Sequence, residues 1–321
     1  MSATRSPTDE PSPGRTTAGP PVSVVLPTTD GVGACSRVAA LLAPDDELLV
    51  VCDTGADPVA DAELPAAARV VVAGEPEGCS GKANAVAAGL EAAAHDRLVL
   101  TDDDFARPPS WLDRLRADYE RLGPVSELPL FVGRDPLSRL LEPLYAWGTL
   151  GLSRSDTPWG GALVFDRADV DGPAVRRQLR RTVSDDGLLS EHLEVTQRPR
   201  LRRVPVGGSL RASLERHVRF VQIFRRFAPR GLAKTAAVFA LLTAVCLAAP
   251  VVGVALVTAL TAAAYATLGA GRPAVLWSAA SVVAFLPLLC YALARRTFVW
   301  GGRRYRWRGR FDVEVEGRVD R

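Results

Sequence analysis

Short apolar runs rich in β-branched residues recur through the first third of the chain. Val22 to Pro27 (VSVVLP) is nearly continuous, as in a strand buried on both faces. Glu47 to Asp53 (ELLVVCD), Arg69 to Gly74 (RVVVAG) and Arg97 to Asp102 (RLVLTD) repeat the pattern. Helical stretches lie between them: one near Gly33 to Leu42, an alanine-rich one from Gly81 to His95, and PPSWLDRLRADYERL, with proline in its first turn. This alternation predicts an α/β fold built on an open sheet of parallel strands. Ligands in such sheets bind beyond the carboxyl ends of the strands. Asp53 and the run Asp102-Asp103-Asp104 stand at two such ends, so one site is expected to hold both.

Beyond Leu122 the pattern loosens. Pro136 to Leu152 (PLSRLLEPLYAWGTLGL) suits a core helix and a helix lying in a membrane interface equally well. Gly160 and Gly161 run into a strand, Ser184 to Leu193 starts a helix with acidic residues, and Arg216 to Phe227 is a basic amphipathic helix. No residue from Thr235 to Gly271, or from Pro273 to Ala294, carries a charge. A membrane-crossing helix needs about 20 apolar residues. The second stretch fits one span, 274–294. The first is long for one and short for two, and Pro250 divides it into 235–250 and 252–269. Core helices of a soluble protein are the alternative, but uncharged runs of this length are rare there.

Net charge is +3 over 321 residues, which decides little; its distribution decides more. Arg198 to Lys234 is basic apart from Glu215, and Arg295 to Arg310 contains seven arginines and no other charged residue. Basic flanks on both sides of the apolar segments place both on the cytoplasmic side. That requires an even number of crossings, so of three helices two would form a hairpin that does not fully cross. Trp300, Tyr305 and Trp307 read as interfacial anchors in a basic tail, 297–321. Met1 to Pro21 is rich in Pro, Ser, Thr and Gly and reads as a disordered tail, neither signal peptide nor anchor. Five cysteines without a C-x-x-C pair read as reduced thiols, and three histidines lack zinc-site spacing. Nucleic-acid binding is disfavoured, because the basic runs abut apolar segments and lack interleaved base-stacking aromatics.

Asp102-x-Asp104 after a buried strand suits a hard divalent cation, Mg²⁺ or Mn²⁺, held by one or two carboxylates with waters and substrate phosphates completing the shell. In an extended chain Asp102 and Asp104 point one way and Asp103 the other. An acidic loop or helix cap is the alternative. Other phosphate sites fail on spelling. Gly81-Lys82 lacks the P-loop's earlier glycine, Pro76 standing in its place, and Ala83 follows where Ser or Thr is required. The loop after Pro27 lacks G-x-G-x-x-G. A haloacid-dehalogenase-like phosphatase would need its lysine after the DxD, whereas Lys82 precedes it.

Taken in order, these motifs resemble glycosyltransferase family 2, most closely its lipid-directed, ceramide glucosyltransferase-like branch. The matching segments are Asp53 in VVCDTGAD, GKANA, Asp102 to Asp104 in LTDDDFARPP, WGGALVF, Asp186 in SDDGLL, and Gln222-Ile-Phe-Arg225-Arg226, within a stretch from Val22 to Phe298. The resemblance implies a GT-A (Rossmann-like) nucleotide-sugar-binding domain over 22–230, followed by transmembrane helices within 231–296. It implies that Asp53 accepts a hydrogen bond from the nucleotide base, and that Lys82 lies by the nucleotide at a helix N-terminus. Asp102 and Asp104 would hold the metal, Asp102 also touching the donor. Gly160 and Gly161 would let backbone approach the sugar, and Gln222 and Arg225 would clamp the leaving diphosphate. Asp186 would be the general base of an inverting transfer, with Asp185 as the competing candidate or a helix cap.

The implied partners are a nucleotide-sugar, expected to be a UDP-sugar, a lipid acceptor and the membrane; the implied place is the cell membrane with the catalytic domain cytoplasmic. Two features depart from the family: Arg226 stands where it usually has Trp, and an N-terminal membrane helix is missing. Two alternatives remain. A polysaccharide synthase-like enzyme would normally need more spans, and an inactive homologue acting as a membrane-anchored scaffold would not need Asp53, Asp104 and Asp186.

Overall fold

A computed structural model describes residues 19–319, so most of the tail expected over 1–21 lies outside the described residues. The β-branched runs form strands β1 (Val22–Pro27), β2 (Glu47–Cys52), β3 (Ala68–Val72) and β4 (Arg97–Thr101), all parallel, with β1 between β2 and β4. Helices α1 (Val32–Ala39), α2 (Gly81–Ala92) and α3 (Trp111–Leu122) alternate with them. Successive strand residues feed opposite faces. Leu48, Val50 and Val99 join Trp111 and Leu115 in one core, while Leu49, Val51, Leu98 and Leu100 join α2 in another. Each such side chain stabilises the fold by about 1.5–3 kcal/mol relative to exposure. Helix α2 lies close on the sheet at Gly89, where a Cβ would fall 2.3 Å from Val25 Cγ1.

The second half of the sheet changes direction. Strand β5 (Val125–Gly133), helix α4 (Pro136–Leu152), strand β6 (Ala162–Asp166), helices α5 (Gly172–Leu179) and α6 (Asp185–Leu189), and strand β7 (Thr196–Val206) follow in order. The seven strands form one mixed sheet in the order β3-β2-β1-β4-β6-β5-β7. Strand β6 runs antiparallel between β4 and β5, pairing Ala162 with Thr101. Its amino end therefore meets the carboxyl end of β4, which sets Gly160 and Gly161 beside the aspartate run. Part of the basic stretch is neutralised internally: Arg200 and Arg202 bond the fully buried Glu127, and Arg198 and Arg200 bond Asp118.

Four helices come next: α7 (Leu210–Phe227), α8 (Pro229–Ala248), α9 (Pro250–Thr267) and α10 (Ser278–Ala294). The segments 229–248, 250–267 and 273–294 are long and apolar enough to cross a membrane, judged by length and composition. Their outer faces carry exposed apolar side chains, among them Leu241, Leu247, Val251 and Leu276, far more than a soluble surface usually tolerates. The break falls at Ala249, just before Pro250, and Gly253 folds back on Cys246, where a Cβ would lie 2.4 Å from its Cα.

Helix α9 then returns to the α/β domain. Thr261 accepts from Trp147 Nε1 at 3.1 Å, and Arg272 reaches Glu142 at 2.7 Å. Both ends of α10 rest on that domain as well: Ser281 Oγ donates to the Leu140 carbonyl, and Gln222 Nε2 donates to the carbonyls of Ala292 and Arg295 at 3.0 and 3.1 Å. Helix α4 serves as a core helix through Leu141, Tyr145 and Ala146 and as the seat of these apolar helices.

The segment read as a basic tail is instead an antiparallel sheet of strands β8 (Thr297–Trp300), β9 (Arg303–Gly309) and β10 (Asp312–Arg318). Along β9, Arg303, Tyr305 and Trp307 are buried while Arg304 and Arg308 are exposed, the period-2 alternation of a half-buried strand. Cross-strand carboxylates answer the outer arginines, with Arg306 Nη2 2.5 Å from Glu316 and Arg308 paired to Glu314. Tyr305 and Trp307 are thus core residues of this sheet rather than interfacial anchors.

Candidate functional site

A cleft of about 330 Å³ lies beyond the carboxyl ends of β1, β2 and β4, walled on one side by α7 and on another by the C-terminal sheet. Its floor is Lys82. The Ser80 hydroxyl caps α2 by accepting from Ala83 N at 3.0 Å, which fixes the first turn that carries the lysine. Lys82 Nζ lies 2.7 Å from Asp102 Oδ1 and 3.2 Å from Asp185 Oδ2. Burial opposes its charge, but Asp102, Asp185 and Asp186 outweigh burial and hold the ammonium well above its ordinary pKa. Lys82 is therefore a cation that Asp102 and Asp104 face at the end of β4.

The three aspartates have different surroundings. Asp103 accepts from the Thr28 hydroxyl at the end of β1, at 2.5 Å. Asp102 faces Lys82, and Asp104 opens on the cleft. Enclosure by the cleft walls, followed by the Asp102 charge, pushes Asp104 up to about 6. Among the described residues no three His, Cys, Asp or Glu side chains form a metal cluster by themselves. Two carboxylates opening on one cleft do fit Mg²⁺ or Mn²⁺, whose remaining ligands are commonly water and phosphate oxygens.

Asp186 lines the same cleft at the start of α6, next to Asp185, which contacts Lys82; the cap of that helix is Ser184 rather than Asp185. Asp186 Oδ1 accepts from Gly160 N at 2.7 Å. Burial, then the neighbouring Asp185 charge, pushes the carboxyl up to about 7, against the pull of Lys82. Both glycines before β6 are required sterically. A Cβ at Gly160 would fall 2.6 Å from Asp186 Oδ1, and one at Gly161 would fall 2.3 Å from the Trp159 ring, which lines the cleft.

At the far end Asp53 is buried and bonded by Arg303 of β9. Burial raises its pKa, and the Arg303 guanidinium opposes that rise.

Gln222 and Arg225 lie away from the cleft. Gln222 faces the end of α10, and Arg225 is exposed. The helix instead presents Arg216, Arg219, Phe220 and Ile223, a single face at i, i+3, i+4 and i+7 spacing. The two arginines have aromatic neighbours: Arg216 lies 4.6 Å from the Phe131 centroid, and Arg219 lies 4.0 Å from that of Trp300. Burial lowers the pKa of both, with Arg219 pushed to about 9 by burial and then by Arg216. Arg226, in place of the family's Trp, donates to the Gln222 and Trp307 carbonyls and lies 4.3 Å over the Trp307 ring. The cleft residues that sequence reasoning did not place there are Trp159, Arg216, Arg219, Trp300, Arg303 and Tyr305.

No family model matches the chain, and no curated protein matches it. Among solved structures, the chain is similar to glucosyl-3-phosphoglycerate synthase from Mycobacterium tuberculosis in complex with Mn²⁺ and uridine-diphosphate-glucose, at 19% identity over 65% of this chain and 81% of that one, TM-score 0.40. It is also similar to a mycobacterial protein at 20% identity over 63% of this chain and 74% of that one, TM-score 0.37. At these TM-scores likeness decides nothing about function; the residues of the cleft do.

Proposed function

We propose that this protein is a membrane-associated, metal-dependent inverting glycosyltransferase of the GT-A type. It moves a sugar from a nucleotide-sugar, preferably a UDP-sugar, to a lipid acceptor. The observation that carries the reading is one cleft that holds a carboxyl with a pKa of about 7, Asp186, together with Asp102, Asp104 and Lys82. A base poised near neutral pH beside a site for a metal and a diphosphate is what glycosyl transfer requires.

Asp102 and Asp104 would hold the divalent cation, which would supply positive charge to the diphosphate. Asp186 takes the proton of the acceptor hydroxyl as that oxygen bonds to the anomeric carbon. The bond from that carbon to the diphosphate breaks on the opposite face, and the nucleoside diphosphate leaves with the electron pair. Gly160 N–H fixes the orientation of the base through Oδ1. Arg216 and Arg219 take the part expected of Gln222 and Arg225: positive charge in a desolvated wall, aimed at the leaving diphosphate. Gly160 and Gly161 leave room for Asp186 and the Trp159 ring and so shape the cleft wall from behind, and Asp53 receives the base.

The exposed apolar faces of α8, α9 and α10 support a lipid acceptor, since they set the cleft's domain against a bilayer. Residues 22–230 carry most of the catalytic unit, to which the C-terminal sheet adds the Arg303 wall, and 231–296 are the membrane segment; the basic flanks support a cytoplasmic cleft. A polymer-forming synthase is the weaker reading, because three helices folded back on their own domain make a platform rather than a channel.

The test uses purified protein in detergent with Mn²⁺ or Mg²⁺, radiolabelled UDP- and GDP-sugars, and extracted lipids. Label is expected to move into the organic phase and to fall about 100-fold or more in Asp186→Asn. Undiminished transfer by the variant would place the base elsewhere, and no transfer from any donor would overturn the reading.

A further inference from the structure

Asp53 is buried, yet one of its oxygens is already committed. Arg303, itself buried, donates through Nη1 to Asp53 Oδ2 and through Nη2 to Glu75 Oε2 at 2.7 Å. Glu75 is held a second time by Arg318 at 2.7 Å. Tyr305, two residues along β9, accepts from Gly81 N at 3.2 Å and so pins the strand to the first turn of α2. Asp57 Oδ2 accepts from the backbone of Asp53 and Thr54 at 2.9 and 2.8 Å, which fixes the loop under the carboxylate. Both arms of the Arg303 fork are thus anchored, and the strand that bears it follows the last apolar helix, about 250 positions after Asp53 in the chain.

A carboxylate recognises nucleobases by accepting their N–H groups. Guanine offers two adjacent donors, N1–H and the exocyclic N2–H, which call for both carboxylate oxygens. Uracil offers a single imide N3–H between two carbonyls, which calls for one. With the Arg303 guanidinium standing against Oδ2, a second donor reaches that oxygen only past the fork, so the paired approach of two adjacent donors is obstructed and a single donor at Oδ1 is favoured.

We propose that Arg303 is a specificity-determining positioning residue: by occupying one oxygen of Asp53 it makes the C-terminal sheet the base wall of the donor site and selects an imide base of the uracil type over guanine. This rests on the nucleotide-sugar reading above and deepens it.

The test measures binding of UDP, GDP and inorganic pyrophosphate, each with Mn²⁺, to the full chain in detergent by calorimetry. Wild type is expected to prefer UDP over GDP by at least about tenfold, the range for one charge-assisted hydrogen bond made or left unmade. Arg303→Gln is expected to weaken UDP binding about tenfold and to collapse the preference, while pyrophosphate binding stays within about twofold. Arg303→Lys, which keeps the charge but not the fork, is expected to recover part of the preference.

Unchanged or tighter UDP binding in Arg303→Gln would overturn the inference, as would equal loss of pyrophosphate, which would mean collapse of the whole cleft. Should Arg303→Gln not fold, Glu75→Gln on an exposed side chain frees the second arm. It is expected to narrow the preference, and two unchanged affinities there would overturn the inference equally. Wild type that binds UDP and GDP alike sinks the inference and leaves the nucleotide-sugar reading standing. Wild type that binds neither takes down that reading itself.

Discussion

Asp186 and Lys82 show how the charges of the cleft set its working pH. A carboxyl pushed up to about 7 is largely protonated, and so idle as a base, below that value. The rate of sugar transfer is therefore expected to fall about tenfold per unit as pH drops below about 7 and to level off above it. A profile of kcat/KM from pH 5 to 9, which reports the free enzyme, checks this; a flat profile down to pH 5 would remove Asp186 as the base. Asp53, Lys82, Asp102, Asp104 and Asp186 could be singled out from sequence because each ends a strand or opens a helix, where the α/β pattern puts ligands. Gln222 and Arg225 could not be placed that way. On a helix, position depends on rotation, and a shift of one face separates Arg219 and Ile223, which line the cleft, from Gln222, which faces α10.

The C-terminal sheet was legible in principle and was hidden by its own composition. The seven arginines of 295–310 suggest a solvated basic tail, yet Arg303, Tyr305 and Trp307 alternate with outward residues, and WGGR is a hairpin turn. Gly301 and Gly302 have φ of +55° and +72°, the left-handed region that two-residue hairpin turns demand. Gly302→Val is expected to destabilise the protein by about 1–3 kcal/mol, read as a lower urea midpoint, whereas an unchanged midpoint would mean the turn is not needed. The antiparallel insertion of β6 was less legible. A five-residue apolar strand carries no mark of its direction, and only the sheet order puts Gly160 beside Asp102.

For the molecule as a whole, sequence located the apolar helices but not their path. Their hydropathy is that of spans; their contacts are those of a hairpin, α8 and α9, followed by a helix lying along the domain. Loop 268–277 belongs on the same side as the cleft, tied there by Arg272 and Glu142. A cysteine placed at Gly271 on a Cys290→Ser background, the other cysteines being buried, is expected to react with an impermeant maleimide from the cytoplasmic side only. Reaction from the opposite side would make α10 a full crossing and break the Arg272–Glu142 and Ser281–Leu140 contacts.

The same overall geometry sets the stereochemistry of the reaction. On the proposed reading Asp186 is the one carboxyl assigned to the acceptor hydroxyl, and a single displacement with inversion is the expected outcome. The most direct measurement is the anomeric configuration of the lipid product by proton NMR, with wild type and Asp186→Asn compared. A β-linked product from an α-linked nucleotide-sugar, absent in the variant, is the expected result. Retention of the donor's anomeric configuration in the product would contradict the inverting role of Asp186.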